Sequence, residues 1–203
     1  MIIVPSNVVG AQQGTPPTVL SYAEDTGVFP AHNVGDMLVF VGWHTSASTP
    51  LYGFTLIQNT GTAVAGVYCR IGYRVATGTS YTATTNLSTR LCIVLSPCTF
   101  TAFAGTPNYT GGTIPMPEPG GPVGPSNLYL GLSNAEGNYP NPVPDTNGNW
   151  TLVSAQSWGL GKALYVPAEG VDTSQGAPPG AFTLNAATQW WQGAMNCVQF
   201  TSN

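Results

Sequence analysis

The stretch VYCRIGYRV, at residues 67–75, indicates the fold class because its side chains alternate. Cys69 stands in phase with Val67, Ile71 and Val75, and polar residues and glycine occupy most of the other phase. Successive side chains of a strand point to opposite faces of the sheet, so this stretch predicts a strand with one buried face. We therefore expect Cys69 to be a buried, free thiol.

Segments of the same kind recur along the chain. They are short, rich in β-branched and aromatic residues, and bounded by Gly, Pro, Asn or Thr, at residues 36–43, 54–58, 64–75, 81–84, 91–96, 128–132, 150–155, 163–166, 182–184 and 194–200. Helical spacing of apolar residues is nearly absent, and 25 glycines and 18 prolines would interrupt long helices. The predicted fold is all-β, an antiparallel, jelly-roll-like β-sandwich.

The two halves of the chain share an order of local patterns. The matched segments are 35–40 with 126–131, 53–57 with 149–153, 73–76 with 165–168, 81–84 with 182–185, and a strand ending at Leu95 with one ending at Phe200. Each half alone, at roughly 65–75 residues, would be a marginal domain. We therefore expect one sandwich domain over residues 1–203, with a single core.

Two segments read as extensions of this domain. Residues 1–18 form an N-terminal arm, apolar at its tip, and residues 104–125 form a strap with six prolines, six glycines and no strand pattern. Such a stretch inside a compact domain is either a plain loop or an extended segment laid on another surface. Both alternatives stay open at this point.

Charged side chains are rare in this sequence. Its 203 residues include four Lys or Arg and eight Asp or Glu, 6% in all, against roughly a quarter in ordinary soluble domains. Such a surface consists of neutral polar residues or is covered by neighbours. The net charge of −4, without a basic run, disfavours nucleic acid as a partner. No apolar span approaches the ~20 residues of a membrane helix, and no signal-peptide pattern opens the chain.

Signals of chemistry are missing from the sequence. G-x-S-x-G is absent, and His32 and His44 have no spacing that favours a catalytic triad. The acidic residues offer no identifiable pair for glycan cleavage, and residues 145–149 predict a turn and no calcium loop. The four cysteines lack metal-ligand spacing, although a Cys92–Cys98 or Cys98–Cys197 disulfide stays open. We expect no catalytic residue, no cofactor, no metal ligand and no enzymatic activity.

Aromatic and apolar residues supply the candidate interface positions. Trp190 and Trp191 are adjacent in a strand-like segment, so their side chains point to opposite faces. One of them either reaches an interface or a sugar platform, or lies half covered at the edge of the sandwich. The arm and the strap add further candidates, namely Ile2, Ile3, Val4, Pro115, Met116 and Pro117.

The run VGDMLVFVGW … YGFTLIQN … YRVATGTSYTATT … LCIVLSP resembles a β-sandwich module of tailed-bacteriophage virion proteins. Such modules typically read GDLLV, GWTLV and YRVA, and NWTLV at residues 149–153 fits the same pattern. The resemblance covers residues 34–200, and it departs at Gly53-Phe54, where Trp is more usual, and in the Pro/Gly-rich insert. It implies a structural part of the virion, a head-decoration (cement) protein or a tail-fibre or baseplate module, and brings no catalytic residues.

These inferences lead to two main hypotheses. The first is a capsid decoration protein, made in the host bacterial cytoplasm and bound to the outside of the shell. It would bridge major capsid proteins as a dimer or trimer, with no contact with nucleic acid or membrane. The alternative is a host-recognition module of a tail fibre or baseplate, which binds surface glycans through exposed Trp and Tyr. An enzyme such as a depolymerase is the least favoured class.

Overall fold

The computed structural model describes residues 17–24, 26–44, 51–61, 68–84, 89–98, 103–104, 113–115, 127–136, 144–145, 150–157, 160–167, 183–185 and 192–201. These residues contain thirteen β-strands and no helix, and every strand pair is antiparallel. The predicted all-β class is therefore confirmed.

The first sheet comes from the N-terminal half of the chain. Its strand order is β1-β5-β2-β4-β3, with the strands β1 (Val19–Glu24), β2 (Met37–His44), β3 (Thr55–Gly61), β4 (Tyr68–Val75) and β5 (Thr89–Leu95). The central strands β2 and β5 are nearly continuous apolar runs because both of their faces are buried.

The second five-stranded sheet comes from the C-terminal half. Its order is β10-β11-β8-β13-β6, with β6 (Phe103–Ala104), β8 (Asn127–Glu136), β10 (Trp150–Ser157), β11 (Leu160–Pro167) and β13 (Gln192–Thr201). A small third sheet has the order β7-β12-β9, formed by β7 (Thr113–Pro115), β9 (Pro144–Asp145) and β12 (Thr183–Asn185).

The two five-stranded sheets have the same strand order. If β1, β2, β3, β4 and β5 are equated with β6, β8, β10, β11 and β13, both sheets follow the order β1-β5-β2-β4-β3. The registers agree as well. Met37 lies opposite Leu95 in the first sheet, and Leu128 lies opposite Phe200 in the second. The matched sequence segments equate Met37 with Leu128 and Leu95 with Phe200, so the opposed pair in one sheet corresponds to the opposed pair in the other.

A β-bulge falls at the same place in both sheets. The register between β3 and β4 shifts between Leu56 and Gln58, and the register between β10 and β11 shifts between Leu152 and Ser154. A bulge inserts an unpaired residue and increases the local twist of the strand. The sequence alignment already equates Leu56 with Leu152, so the irregularity has the same sequence position in each half.

The ladders correct one part of the sequence alignment. Val41 lies opposite Ile71, and its counterpart Leu132 lies opposite Leu164. Ile71 is therefore equivalent to Leu164, and Tyr73, two residues later, is equivalent to Val166. The alignment of 73–76 with 165–168 is therefore wrong by one residue. Because a shift of one residue reverses the face of every side chain, only the corrected alignment keeps buried residues equivalent.

One cluster of buried hydrophobic side chains draws on both five-stranded sheets. The first sheet contributes Val19, Met37, Val39, Val41, Trp43, Cys69, Ile71, Leu91, Ile93 and Leu95, and the second contributes Leu128, Leu130, Leu164, Val166, Val198 and Phe200. Equivalent strands contribute the side chains of equivalent faces to this cluster, which we call the shared core. Its side chains supply much of the apolar burial that stabilises the described part of the chain.

A second cluster lies on the opposite, outer face of the first sheet. Leu38, Phe40, Cys92 and Val94 are buried there beneath Phe29, Ala76 and Ala83. Backbone hydrogen bonds join the two covering segments, from Phe29 N–H to Tyr81 O at 2.9 Å and from Ala83 N–H to Gly27 O at 2.8 Å. The sequence predicted a strand at 81–84, and the structure has an isolated bridge between Thr82 and Val28.

Four strands lie where the sequence indicated none: β1, β6, β7 and β9. Strand β1 begins one residue after the predicted arm, and its sequence VLSYAE has only weak alternation. Strand β7 lies within the predicted strap and pairs with β12 through Ile114 and Leu184. Three residues are too few to show apolar alternation, so strand β7 is identified only by its pairing with β12.

Candidate interaction surface

Most of the interface residues predicted from sequence lie outside the described residues. These are Ile2, Ile3, Val4, Met116, Pro117, Trp190 and Trp191. Of Pro115 only the backbone is described, at the end of β7 opposite Thr183. The predicted roles of these side chains therefore stay predictions. The described residues direct attention to a different surface, at the β3 edge of the first sheet.

An aromatic cluster forms the base of this surface. Phe29 is 4% exposed and Phe40 is fully buried, with 6.4 Å between their ring centroids. Phe54 stacks on Phe29 at 5.8 Å and meets the edge of the Tyr81 ring at 5.6 Å. Aromatic pairs in this distance range contribute about 0.5–1.5 kcal/mol beyond their burial. The cluster therefore holds the Phe54 and Tyr81 rings in fixed positions.

The turn before β3 brings the backbone against Tyr81. Gly53 has φ of +77°, and a Cβ added there would lie 2.8 Å from the Tyr81 hydroxyl oxygen and 3.2 Å from Arg74 Nη1. The left-handed conformation and the close approach both require glycine. Tyr52, the residue before this turn, is 63% exposed. Exposed Tyr52 therefore directly precedes the glycine that approaches the Arg74–Tyr81 pair.

Arg74 stacks on the Tyr81 ring, with Cζ 4.2 Å from the ring centroid. Such a cation–π contact orients the guanidinium plane and leaves its edge free to donate. Within the described ranges, Arg74 has no hydrogen bond and no ion pair, and its buried Nε lacks an acceptor. The guanidinium therefore has hydrogen-bonding capacity that the described residues do not use, and its Nη1 lies close to the Gly53 position.

We call this surface the Arg74 patch, made of Tyr52, Phe54, Leu56, Arg74 and Tyr81. Leu56 is 50% exposed and lies on the outer face, because it pairs with Gly72, which pairs with Phe40. Tyr52 and Leu56 are exposed and Arg74 and Tyr81 are half-buried, and tyrosine and arginine are the residue types enriched at interaction hot spots. The patch borders β3, whose outer edge pairs with none of the described strands.

The outer face of the first sheet also collects positive charge. Gly42 of β2 lies between Arg70 of β4 and Arg90 of β5, so both arginines share its face. Arg74 lies on the same face, since it is opposite Leu38. Three of the chain's four basic residues therefore converge on one face, although they are scattered in the sequence. Arg70 is 9% exposed, and Arg70 and Arg90 both have interactions of their own within the chain.

Two titratable side chains, His32 and Asp36, are buried and form hydrogen bonds with the backbone of one turn. His32 is buried and its Nδ1–H donates to the carbonyl oxygen of Pro30 at 2.7 Å. Asp36 is 2% exposed, and its Oδ2 accepts from the backbone N–H of Asn33 at 2.7 Å. Both groups serve the turn that leads into β2. No three His, Cys, Asp or Glu side chains converge as a metal site within the described ranges.

All four cysteines are free, and three of them, Cys69, Cys92 and Cys197, are buried. The predicted state of Cys69 is confirmed, and neither possible disulfide is formed. Burial raises the pKa of the Cys92 thiol to about 12, although nearby Arg90 acts in the opposite direction. Burial likewise raises the pKa of Cys98 to about 12. These thiols are protonated at neutral pH and poorly suited to act as nucleophiles.

No family model, no curated protein and no solved structure matches this chain. Among the residues described above, no helix is long and apolar enough to cross a membrane.

The sequence carried one signal for the Arg74 patch, the Gly53-Phe54 step inside YGFTLIQN. This step is where the resemblance to the phage module departs, and the sequence alone predicts no site there. Tyr52 and Arg74 are 22 positions apart, and only the turn and the register of β3 on β4 bring them together.

Proposed function

We propose that this chain is a non-enzymatic structural component of a bacteriophage virion. It acts as a capsid decoration protein that binds the outside of the shell and stabilises contacts between major capsid proteins. The observation that carries this proposal is the Arg74 patch, where exposed Tyr52 and Leu56 accompany half-buried Arg74 and Tyr81 on a chain with few charged side chains. A protein that functions by fitting among neighbours needs such surfaces and needs no reactive groups.

We propose further that the two five-stranded sheets form a β-sandwich built from two similar halves. The shared core, the common strand order and the common bulge position support this arrangement. Each sheet is contiguous in sequence, so the sandwich is a pairing of two self-contained sheets. Such a subunit is rigid, and it can hold a binding surface in a fixed orientation on a shell.

The mechanism of stabilisation is mass action on the assembled state. A subunit that binds across a junction of two shell proteins, and not to the separated proteins, lowers the free energy of the intact junction. Its effect grows with occupancy. A stable contact of this kind buries on the order of 1,200–2,000 Å² in total. The Arg74 patch supplies the centre of such a contact, and the predicted arm and strap supply its periphery.

The copy number of the protein in purified virions tests this proposal. We expect a fixed ratio of about one or more copies to each capsomer, measured by quantitative mass spectrometry against the major capsid protein. Particles that lack the protein should assemble and then lose their genome at a lower temperature. A protein absent from virions, or one that turns over a capsular polysaccharide, would contradict the proposal.

A second candidate function is glycan recognition in a tail fibre or baseplate. The observation in its favour is the 63% exposure of Tyr52 next to Tyr81 and Arg74, since exposed aromatic rings are sugar platforms. A low copy number, with all copies in the tail fraction, would support it. Binding on a glycan array that is lost in Tyr52→Ala or Trp191→Ala would then define the site.

A further inference from the structure

The Arg74 patch belongs to the first half alone. The corrected alignment equates Arg74 with Pro167, and the matched segments equate Tyr81 with Phe182 and Tyr52 with Gly148. The framework that carries these positions keeps its strand order, its registers and its bulge in both halves. The second half therefore retains the scaffold without the arginine or either phenol. The patch is a specialised feature on a repeated framework.

We propose that the Arg74 patch binds an acidic patch on a partner protein, with the Arg74 guanidinium receiving a carboxylate. This inference rests on the proposed function, which makes the partner a shell protein. In this contact, the side chains of Tyr52 and Leu56 pack against the apolar surface of the partner that surrounds the ion pair. The contact thereby excludes water from a charge pair that would be weak if it were solvated.

The geometry of Arg74 favours a carboxylate as the group it binds. Its guanidinium face is held on the Tyr81 ring, so its nitrogens present a planar edge. A carboxylate matches such an edge with two parallel hydrogen bonds. The phenol of Tyr52 stands at the same turn and can donate a further one.

The surroundings of Arg74 favour a protein as the source of the carboxylate. Leu56 is half exposed, and a protein can bury such a side chain, whereas a polar sugar cannot do so as well. Strand β3 (TLIQNTG) contains no charged residue and no proline, the usual protections of an edge strand, and its bulge protects it only in part. A protein segment can pair with such an edge, and the same contact then reaches the patch.

Binding of the full-length protein to shells that lack it tests the inference. The variants are Arg74→Ala, Arg74→Lys and Tyr52→Ala, with Leu20→Ala as the control. Leu20 is 43% exposed and lies on β1, at the opposite edge of the same sheet. We expect Arg74→Ala to weaken binding at least tenfold and Arg74→Lys to weaken it less, because lysine keeps the charge but not the planar edge. Leu20→Ala should bind as the unmodified protein does.

Added salt and a second truncation refine the test. Binding of the unmodified protein should weaken with salt more steeply than binding of Arg74→Ala, since only the former makes the ion pair. Tyr52→Ala should also weaken binding, and its melting temperature should not change because Tyr52 is largely exposed. This variant keeps the inference open to refutation if Arg74→Ala proves unstable.

Each outcome separates the inference from the proposed function. If the unmodified protein and all variants bind equally, the inference is overturned and the decoration role stands. If the unmodified protein does not bind shells, both are overturned. Loss of glycan-array binding in Arg74→Ala, with shell binding intact, would assign the patch to a sugar. Loss of self-association in sedimentation, again with shell binding intact, would assign it to a second copy, and either result refutes the inference.

Discussion

Truncating the equivalent core residues Ile71 and Leu164 tests whether the two sheets fold as one unit. Both side chains are fully buried, they occupy matching positions on β4 and β11, and both belong to the shared core. Ile71→Ala and Leu164→Ala each remove buried carbon atoms and leave a cavity. Substitutions of this kind cost about 2–5 kcal/mol. For a protein of this length, each kcal/mol lowers the melting temperature by roughly 2–4 °C.

We therefore expect each variant to lower the melting temperature by roughly 6–12 °C for a loss of about 3 kcal/mol. Thermal and guanidinium unfolding should be followed by far-UV circular dichroism and by tryptophan fluorescence, which Trp43 reports from inside the shared core. If the core is common, the two probes coincide and both variants move the same single transition. Val34→Ala, at a side chain that is 65% exposed, should change stability by less than about 0.5 kcal/mol.

A different pattern would refute a common core. In that case the unmodified protein would unfold in two steps, and each truncation would move only one of them. The double variant adds a further check. Its destabilisation should equal the sum of the single effects if the sites are independent, and should deviate from the sum if the two side chains share neighbours.

Three further predictions concern the turn and the thiols. Gly53→Ala should cost about 1–3 kcal/mol because of its positive φ and the close Tyr81 hydroxyl, whereas Gly78→Ala, with no atom closer than 4.0 Å, should be nearly neutral in the same melting assay. Ellman's reagent at neutral pH should label Cys69, Cys92 and Cys197 slowly in the folded protein and all four cysteines after unfolding; rapid labelling of more than one thiol in the folded protein would contradict this burial. The unfolding free energy should be level below about pH 9 and fall towards pH 12, because the unfolded chain loses its thiol protons first. Cys92→Ala should flatten that decline, and an unchanged slope would contradict the raised pKa.

The second half offers a comparison for the first. On the outer face of the first sheet, Leu38 and Val94 lie opposite each other, and the equivalent pair in the second sheet is Tyr129 and Gln199. All four are fully buried. The two outer faces therefore differ in polarity although the frameworks agree.

The sequence by itself determined the strands that have a period of their own. Strands β2, β4 and β5 are evident from apolar alternation or from continuous apolar runs, because each residue's face depends only on its parity along the strand. The order of patterns in the two halves is also local information. It equated Met37 with Leu128 and Leu95 with Phe200, in agreement with the registers of the two sheets, and it misaligned the segment at Tyr73 by one residue.

Tertiary structure alone decided the elements and the site that have no local period. Strand β7 exists through its pairing with β12, and the Arg74 patch exists because a left-handed glycine and one strand register bring together residues remote in the sequence. Local patterns report which side of a strand is buried. They do not report which strand lies next to it, and the chemistry of a surface depends on those neighbours.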